Sequence, residues 1–389
     1  MKILIIHTSY RHRGGEDVVV EQEIKILREK HSVETIFFKN HSGIKGFFQF
    51  FFSIWNPFSA RTVKKKMRSF DPDVVHLHNW HYGAGPLIIR AVKKFKKPIL
   101  LTLHNYRLLC PSGTLLSKNK LFLKSLEERF PWTAVRSGVY RNSVLQTFIL
   151  AVIVWFHTII KTWHMVDGYI CLSKSSLDIF RNSKLGLEKS QFFVKPNFIA
   201  IDSTSTVIPR APHFLYVGRL SEEKGIKMLL EVFQSIDSHL KIAGKGPLEA
   251  LVKNTAKNHK NIESLGVLDS EEVRVEMHKA SALIFPSIWM ETFGLTIIEA
   301  FASQCIVIAS DLGAPKNIVT NDVNGFLYEA GNIEDLKQKI KTMRQLSTIQ
   351  DQKIRENASL TFDTLYTPKK QFEYFDAIFQ KLIDRSQNI

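Results

Sequence analysis

The sequence predicts an α/β protein made of two doubly wound, Rossmann-like domains facing each other across a cleft. Short apolar, β-prone runs alternate with helical patterns along almost the whole chain, as a parallel sheet with crossover helices requires. That alternation stops at a segment rich in Pro, Ser and Thr and then starts again. The length of 389 residues is also long for one hydrophobic core and comfortable for two.

Taken in order, residues 2–7 form an apolar first strand, followed by a polar glycine loop and a helix over about 16–30. Further strands are expected at 33–38, 74–77 and 99–103, with a helix at 86–96 joining the last two. Strands at 168–172 and 192–194 complete the first half. Residues 196–212 read as an interdomain linker between a first domain at 1–195 and a second at 213–364. Strands of the second domain fall at 213–217, 240–243, 262–265, 282–285 and 306–309. An aromatic pattern over 365–383 reads as one or two closing helices, within a C-terminal stretch (365–389) expected to pack back toward the first domain.

Hydrophobic residues make up 44% of the chain and aromatics 11%, which excludes a disordered protein. Cys110, Cys171 and Cys305 are scattered and odd in number, which argues for a reducing compartment and against a disulfide framework or zinc site. Residues 1–200 hold 31 Lys and Arg against 13 Asp and Glu, whereas the remainder is nearly balanced at 22 against 24. Basic clusters at 64–68 and 93–97 lie near an aromatic run at 47–55 that a soluble surface does not normally expose. Such a face suits an anionic membrane surface, and nucleic acid attracts the same kind of patch; a solvated helix face is the plain alternative. No signal peptide is apparent. Residues 144–160 are apolar and lack Lys, Arg, Asp and Glu, and read as a buried or interfacial helix, with a membrane span as the alternative.

The most informative stretch runs from Phe285 through Glu291 and Gly294 to Glu299. Its apolar strand ends at Pro286 and Ser287, and a helix begins near Gly294. Glu291 then lies in the strand-to-helix loop and Glu299 one turn into the helix. The backbone N–H groups of Phe293, Gly294 and Leu295 form the positive end of the helix dipole, a place for phosphate. Two carboxylates flanking an anion site suit a molecule with hydroxyls on both sides of a diphosphate. Arg219 and Lys224, in the turn after the strand at 213–217, supply two cations able to grip that diphosphate without a metal.

Weaker signals accompany these. The Gly244-Lys-Gly246 turn lacks the full dinucleotide fingerprint, which argues against a nicotinamide enzyme. Gly14 and Gly15 allow close approach of a ligand to the first helix, or form a plain tight turn. His104, at a strand end, either faces the cleft or is a core or capping histidine. Asp71-Pro72-Asp73 has the spacing of a metal-binding pair but precedes its strand, away from the ligand edge. His76 and His78 share a strand face, yet no Cys or carboxylate completes a zinc set nearby in sequence. His78 and Asn79 read instead as acceptor-side polar groups.

In this order, the motifs resemble the family-4 retaining glycosyltransferases of the GT-B fold, over nearly the whole chain. Glu291-x7-Glu299 enclosing Phe-Gly-Leu is the most specific part. Gly218-Arg219-Leu, Glu223-Lys224-Gly225, Ala243-Gly-Lys-Gly-Pro247, Lys195-Pro-Asn197 and Asn324-Gly325 support it. Residues 103–111 are similar to a subgroup common among bacterial surface-polysaccharide enzymes. Thr292 stands where the family often has Gly, and the extra cysteines many subgroup members carry after Pro111 are missing.

The resemblance implies sugar transfer from a UDP- or GDP-linked donor, with retention of configuration and with neither metal nor cofactor. Glu291 is expected at the donor sugar, Arg219 and Lys224 at the diphosphate, and Glu299 at the ribose. The amides near Gly294 share the phosphate load, backbone near Gly244 and Val267 meets the nucleotide, His104 lies near the sugar and Gly15 near the phosphate. The expected acceptor is a glycan or a polyprenyl-diphosphate-linked glycan. The expected location is the cytoplasmic face of the cell membrane, with no nucleic-acid partner. A nucleotide-sugar epimerase, a phosphorylase, or a non-catalytic membrane or nucleic-acid binder are the competing readings.

Overall fold

The computed structural model of the chain describes residues 1–9, 14–41, 43–118, 120–200 and 209–387. Arg13 of the first glycine loop and residues 201–208 of the expected linker lie outside the described residues. The chain divides into two compact units, one containing Met1–Lys118, Phe122–Asn197 and the closing helix, the other Phe198–Thr367 with a short excursion at Asn119–Leu121.

The first unit begins with β1 (Lys2–Ser9), α1 (Gly15–Arg28), β2 (Ser32–Lys39), α2 (Gly43–Phe52) and α3 (Pro57–Phe70). It continues with β3 (Val74–Leu77), α4 (Leu87–Lys93), β4 (Ile99–Leu103), α5 (Trp132–Arg136), α6 (Val144–Ile159), β5 (Gly168–Cys171), α7 (Lys174–Arg181) and β6 (Phe192–Val194). The second unit holds β7 (His213–Val217), α8 (Ile226–Gln234), β8 (His239–Ala243), α9 (Glu249–Asn258), β9 (Ile262–Gly266), α10 (Ser270–Lys279) and β10 (Ala282–Phe285). It ends with α11 (Leu295–Ala302), β11 (Ile306–Ser310), α12 (Pro315–Ile318), β12 (Phe326–Tyr328), α13 (Ile333–Arg344) and α14 (Thr348–Leu365). The last helix, α15 (Pro368–Gln387), belongs to the first unit.

Each unit contains a six-stranded sheet, ordered β2-β1-β3-β4-β5-β6 in the first and β9-β8-β7-β10-β11-β12 in the second. All the pairings are parallel. Strand order reverses between β1 and β3 in one sheet and between β7 and β10 in the other. In open parallel sheets such a reversal opens a crevice at the strand C-terminal ends, where ligands bind. Every residue of β4 and β11 is buried, which is why these strands read as unbroken apolar runs without alternation.

Local chemistry sets the helix ends. Asn56 Oδ1 accepts from Ser59 N at 3.1 Å, and Pro57 opens α3, while Asp71, at φ 47°, closes it. Ser347 and Gln350 form a capping box on α14. The aromatic pattern at 365–383 begins later than expected, because Pro368 starts a fresh helix after α14 has closed at Leu365. In place of a helix to residue 96, α4 stops at Lys93 and Lys96 takes φ 55°. The aromatic run at 47–55 falls on α2 and the turn that follows it, and the basic cluster at 64–68 on α3.

A buried cluster ties α15 to the first sheet. Lys195 Nζ donates to Glu23 Oε1 at 2.8 Å and to Gln371 Oε1 at 2.9 Å, and it sits 4.4 Å from the Phe375 ring centroid. All three polar side chains are fully buried. A buried ion pair gains little net stability over an apolar substitute, but removing one partner is costly. The pair therefore ties Glu23 of α1, Lys195 just past β6 and Gln371 of α15 into one geometry.

Candidate active site

In the second unit, three strand-to-helix loops converge on Glu291. The turn after β7 is shaped by glycine: Gly225 has φ 73°, and a Cβ there would lie 1.9 Å from the Pro286 carbonyl oxygen. The loop after β10 is therefore packed directly on the turn that carries Arg219 and Lys224. Ile288 N also donates to Glu223 O at 3.0 Å. The loop after β11 holds the backbone of Glu291: the residue forms a bridge with Gly313, and Ala314 N donates to Glu291 O at 2.9 Å.

The Glu291 carboxylate is buried and already engaged. Lys224 Nζ and Ser287 Oγ both donate to Oε1, at 2.5 and 2.7 Å. Lys224 also lies 5.4 Å from the Trp289 ring centroid. Sequence reasoning assigned Lys224 to a diphosphate; in this structure its nearest anion is Glu291, and Ser287 is the partner that reasoning missed. Arg219 is different. Its side chain is exposed and makes no hydrogen bond or ion pair among the described residues, while Tyr216 Oη fixes its backbone by donating to Arg219 O at 2.8 Å.

Gly294 is the N-cap of α11. Among the described residues, the N–H groups of Phe293, Gly294 and Leu295 make no backbone hydrogen bond, so this helix end presents open donors. The Phe293 ring turns inward and packs edge-on to Tyr366. The Glu299 carboxylate, one turn into α11, has no hydrogen bond or ion pair among the described residues, and burial raises it to about 7. Gly244 follows β8 at φ 141°, so close to the neighbouring turn that a Cβ would fall 1.8 Å from Gly218 O. Val267 is exposed just beyond β9, at the sheet edge.

The remaining candidates lie in the first unit, at its own strand reversal. Gly15 is the first residue of α1, behind an Asp17 side chain that accepts from Gly14 N at 2.9 Å and lies 2.9 Å from His7 Nε2. His104 directly follows β4, with Nε2 3.0 Å from His78 Nδ1. Burial holds the His104 imidazole down at about 3 and the His78 imidazole well below its ordinary value, so both are neutral at physiological pH.

The two acceptor-side candidates, His78 and Asn79, line a small cavity with His104 at this edge of the first sheet. Asn79 is buried and spends both ends of its amide on its own unit, donating to Thr8 O at 3.0 Å and accepting from His81 N at 2.9 Å. His78 is also buried, behind His104, with Nε2 3.2 Å from Glu23 Oε2 but poorly aligned for a straight hydrogen bond. A carboxylate does complete the histidine set, because the fold brings Glu23 to His76 and His78 with one ligand atom of each within 4.8 Å of the others. The Lys195 ammonium, 2.8 Å from that same carboxylate, already neutralises it and would repel a dication. Asp71 pairs with Lys97 at 3.0 Å and Asp73 accepts from Lys2 N at 2.7 Å, both at the N-terminal edge of the sheet.

Comparison with known proteins fits this geometry. Residues 34–203 match the profile of Glycosyltransferase Family 4, and residues 201–361 match that of Glycosyl transferases group 1. The chain belongs to glycosyltransferase family 4. HepE from Anabaena, solved in complex with UDP, is 17% identical, superposes with a TM-score of 0.70 and covers 98% of this chain and 100% of its own. Sucrose-phosphate synthase from Thermosynechococcus elongatus gives 0.72 at 16% identity, covering 99% of both chains. These likenesses establish the GT-B fold for this family-4 chain. Among curated relatives, an uncharacterized glycosyltransferase of Methanocaldococcus jannaschii is 37% identical over 128 residues, 32% of this chain and 36% of that one. The phosphatidyl-myo-inositol mannosyltransferase of Mycobacterium leprae is 25% identical over 234 residues, 57% and 61% of the two chains. The family-4 chain thus spans between a third and two thirds of the length of these curated relatives.

Proposed function

We propose that the protein is a retaining, metal-independent glycosyltransferase that moves a sugar from a uridine or guanosine diphosphate donor to a lipid-linked or growing glycan in surface-polysaccharide synthesis. The observation that carries this reading is the switch point of the second sheet. There Arg219, whose side chain has no partner among the described residues, Lys224, open amides at the start of α11 and two carboxylates, Glu291 and Glu299, lie on one sheet edge. Support for the donor class comes from HepE, solved in complex with UDP, and support for a glycan product from the mannosyltransferase relatives.

In this reaction the bond from the anomeric carbon to the diphosphate oxygen breaks and the acceptor hydroxyl oxygen bonds that carbon. The hydroxyl proton passes to the departing phosphate. Arg219, Lys224 and the α11 amides offset the charge that builds on the leaving group. Glu291 meets the sugar hydroxyls and Glu299 the ribose, while neutral His104 serves as a hydrogen-bonding group and not a cation.

Membrane association is part of the proposal. Between Glu34 and Asp71 the chain has seven Lys and Arg and no acidic residue, and Phe47, Phe48, Phe51, Phe52 and Phe58 are exposed there. No helix among the described residues is long and apolar enough to cross a membrane. A peripheral seat on an anionic cytoplasmic leaflet fits these facts. A thermal-shift screen of nucleotide sugars tests the activity class: UDP- or GDP-sugars raise the melting temperature of wild type and not of Arg219→Ala. An epimerase would instead convert a donor with no acceptor present.

A further inference from the structure

A cleft of about 530 Å³, open mouth included, lies in the first unit between the turn at Arg107–Pro111, α6 and the loop at Ser183–Leu185. Three cations line it, Arg107, Arg129 and Lys184, against one carboxylate. That carboxylate is occupied elsewhere: Glu128 Oε2 accepts from Thr133 N and Oγ1 at 3.1 and 3.0 Å, at the start of α5. Arg129 and Lys184 are exposed and make no hydrogen bond or ion pair among the described residues. Arg107 Nε is buried without a hydrogen-bond partner among the described residues. Its Nη1 donates to Pro111 O at 3.2 Å, which holds the guanidinium against the turn that borders the cleft.

The opposite wall is apolar. Ala151, Val154 and Trp155 of α6 line the cleft, and Trp155 is 41% exposed. Beyond the cleft α6 continues to present Val144, Leu145, Phe148 and Ile159 to solvent. The helix is only 16 residues long, about 24 Å, too short to cross a bilayer. Between Glu128 and Asp167 there are four Lys and Arg and no acidic residue. A second, smaller cavity, lined by His104 and Asn105, shares Arg107 and Leu108 with this cleft. The two spaces therefore meet at those residues.

We infer that this cleft holds the phosphate-bearing head of an amphiphilic acceptor, with its hydrocarbon chain lying along the apolar face of α6. The inference rests on the transferase reading and adds the place where the head group and chain of a lipid-linked acceptor sit. Multiple anionic oxygens suit converging guanidinium and ammonium groups, and an arginine fork suits phosphate better than any other anion except carboxylate. The shared residues Arg107 and Leu108 put the head group next to the cavity that contains His104, where a glycan attached to it would begin.

The test is fluorescence titration of the full chain with farnesyl diphosphate, farnesol and inorganic pyrophosphate, with UDP and GDP binding measured on the same samples. Farnesyl diphosphate is expected to saturate the signal, with Trp155→Phe removing most of the change, and farnesol and pyrophosphate each at least tenfold weaker. The Arg129→Glu/Lys184→Glu double variant is expected to lose at least tenfold in farnesyl diphosphate affinity with unchanged nucleotide binding and melting temperature; Lys184→Ala provides the same comparison at smaller perturbation. Farnesol binding as tightly as the diphosphate, pyrophosphate binding as tightly as the lipid, or charge reversal without effect would each overturn the inference. Loss of nucleotide binding in wild type would instead overturn the transferase reading beneath it.

Discussion

Lys224 Nζ lies 2.5 Å from Glu291 Oε1, so the site's second cation and its buried loop carboxylate form an ion pair with each other. Arg219 has no such partner among the described residues. The two cations therefore differ in what their removal does. Lys224→Ala leaves a buried carboxylate with only Ser287 beside it and lowers the melting temperature as well as turnover. Arg219→Ala leaves the fold alone and lowers kcat by at least roughly 10²–10³, the loss seen when one hydrogen-bond donor to a developing oxyanion is removed. Steady-state rates and melting curves for both variants check the contrast.

Glu299 makes donor affinity depend on pH. Its carboxyl titrates at about 7, and ribose hydroxyls donate best to the ionised form. Nucleotide binding therefore weakens as pH falls below 7, toward tenfold per unit, and Glu299→Gln binds weakly with a flat profile. Without ligand the sign is opposite. The folded value is raised above the unfolded one, so the favourable protonated state is complete below pH 4.5 and lost as pH rises to 7. Above that the charge costs roughly 3 kcal/mol. Glu299→Gln consequently melts higher than wild type at pH 8, and the gap closes toward pH 5.

Acid should open the first unit. Burial lowers the imidazoles of His76, His78, His81, His104 and His157, the last two to about 3 and about 4. Below 6.5 the unfolded chain takes up protons that these folded histidines refuse. Each group then removes about 1.4 kcal/mol of stability per pH unit until its own folded value is reached. Urea unfolding at pH 7.5, 6.0 and 5.0 is expected to show a loss several times steeper than one group produces; a flat response across that window would show that these rings are not neutral in the fold.

Gly225→Ala tests whether the loops after β7 and β10 must touch. A Cβ 1.9 Å from Pro286 O forces the loops apart, whereas Gly331, at φ 83° in open space, carries only the backbone strain. We expect Gly225→Ala to lower the melting temperature by about 6 °C or more and to reduce donor binding, and Gly331→Ala to cost about 1 kcal/mol.

Much of this architecture is written locally. Strands buried on both faces, such as Ile99–Leu103 and Ile306–Ser310, read directly as apolar runs, and Gly294 marks the start of α11 because the apolar spacing begins at Leu295. The partners of Glu291 were not legible. Ser287 looked only like a strand terminator, and Gly313 lies 22 residues away on another loop, so neither has a local signal. Nor was the burial of His78, which depends on Glu23 and Lys195, 172 residues apart in sequence. Long-range packing decides such groups, and periodicity says nothing about it.

The central claim is that protein cations at the switch point of the second sheet hold the diphosphate of an activated sugar. Isothermal titration of UDP and GDP into wild type and Arg219→Ala, each with and without EDTA, tests it most directly. The account predicts saturable binding of at least one nucleotide by wild type, unchanged by the chelator and weakened at least tenfold by the substitution. Binding that vanishes in EDTA, or that is indifferent to Arg219, would contradict it.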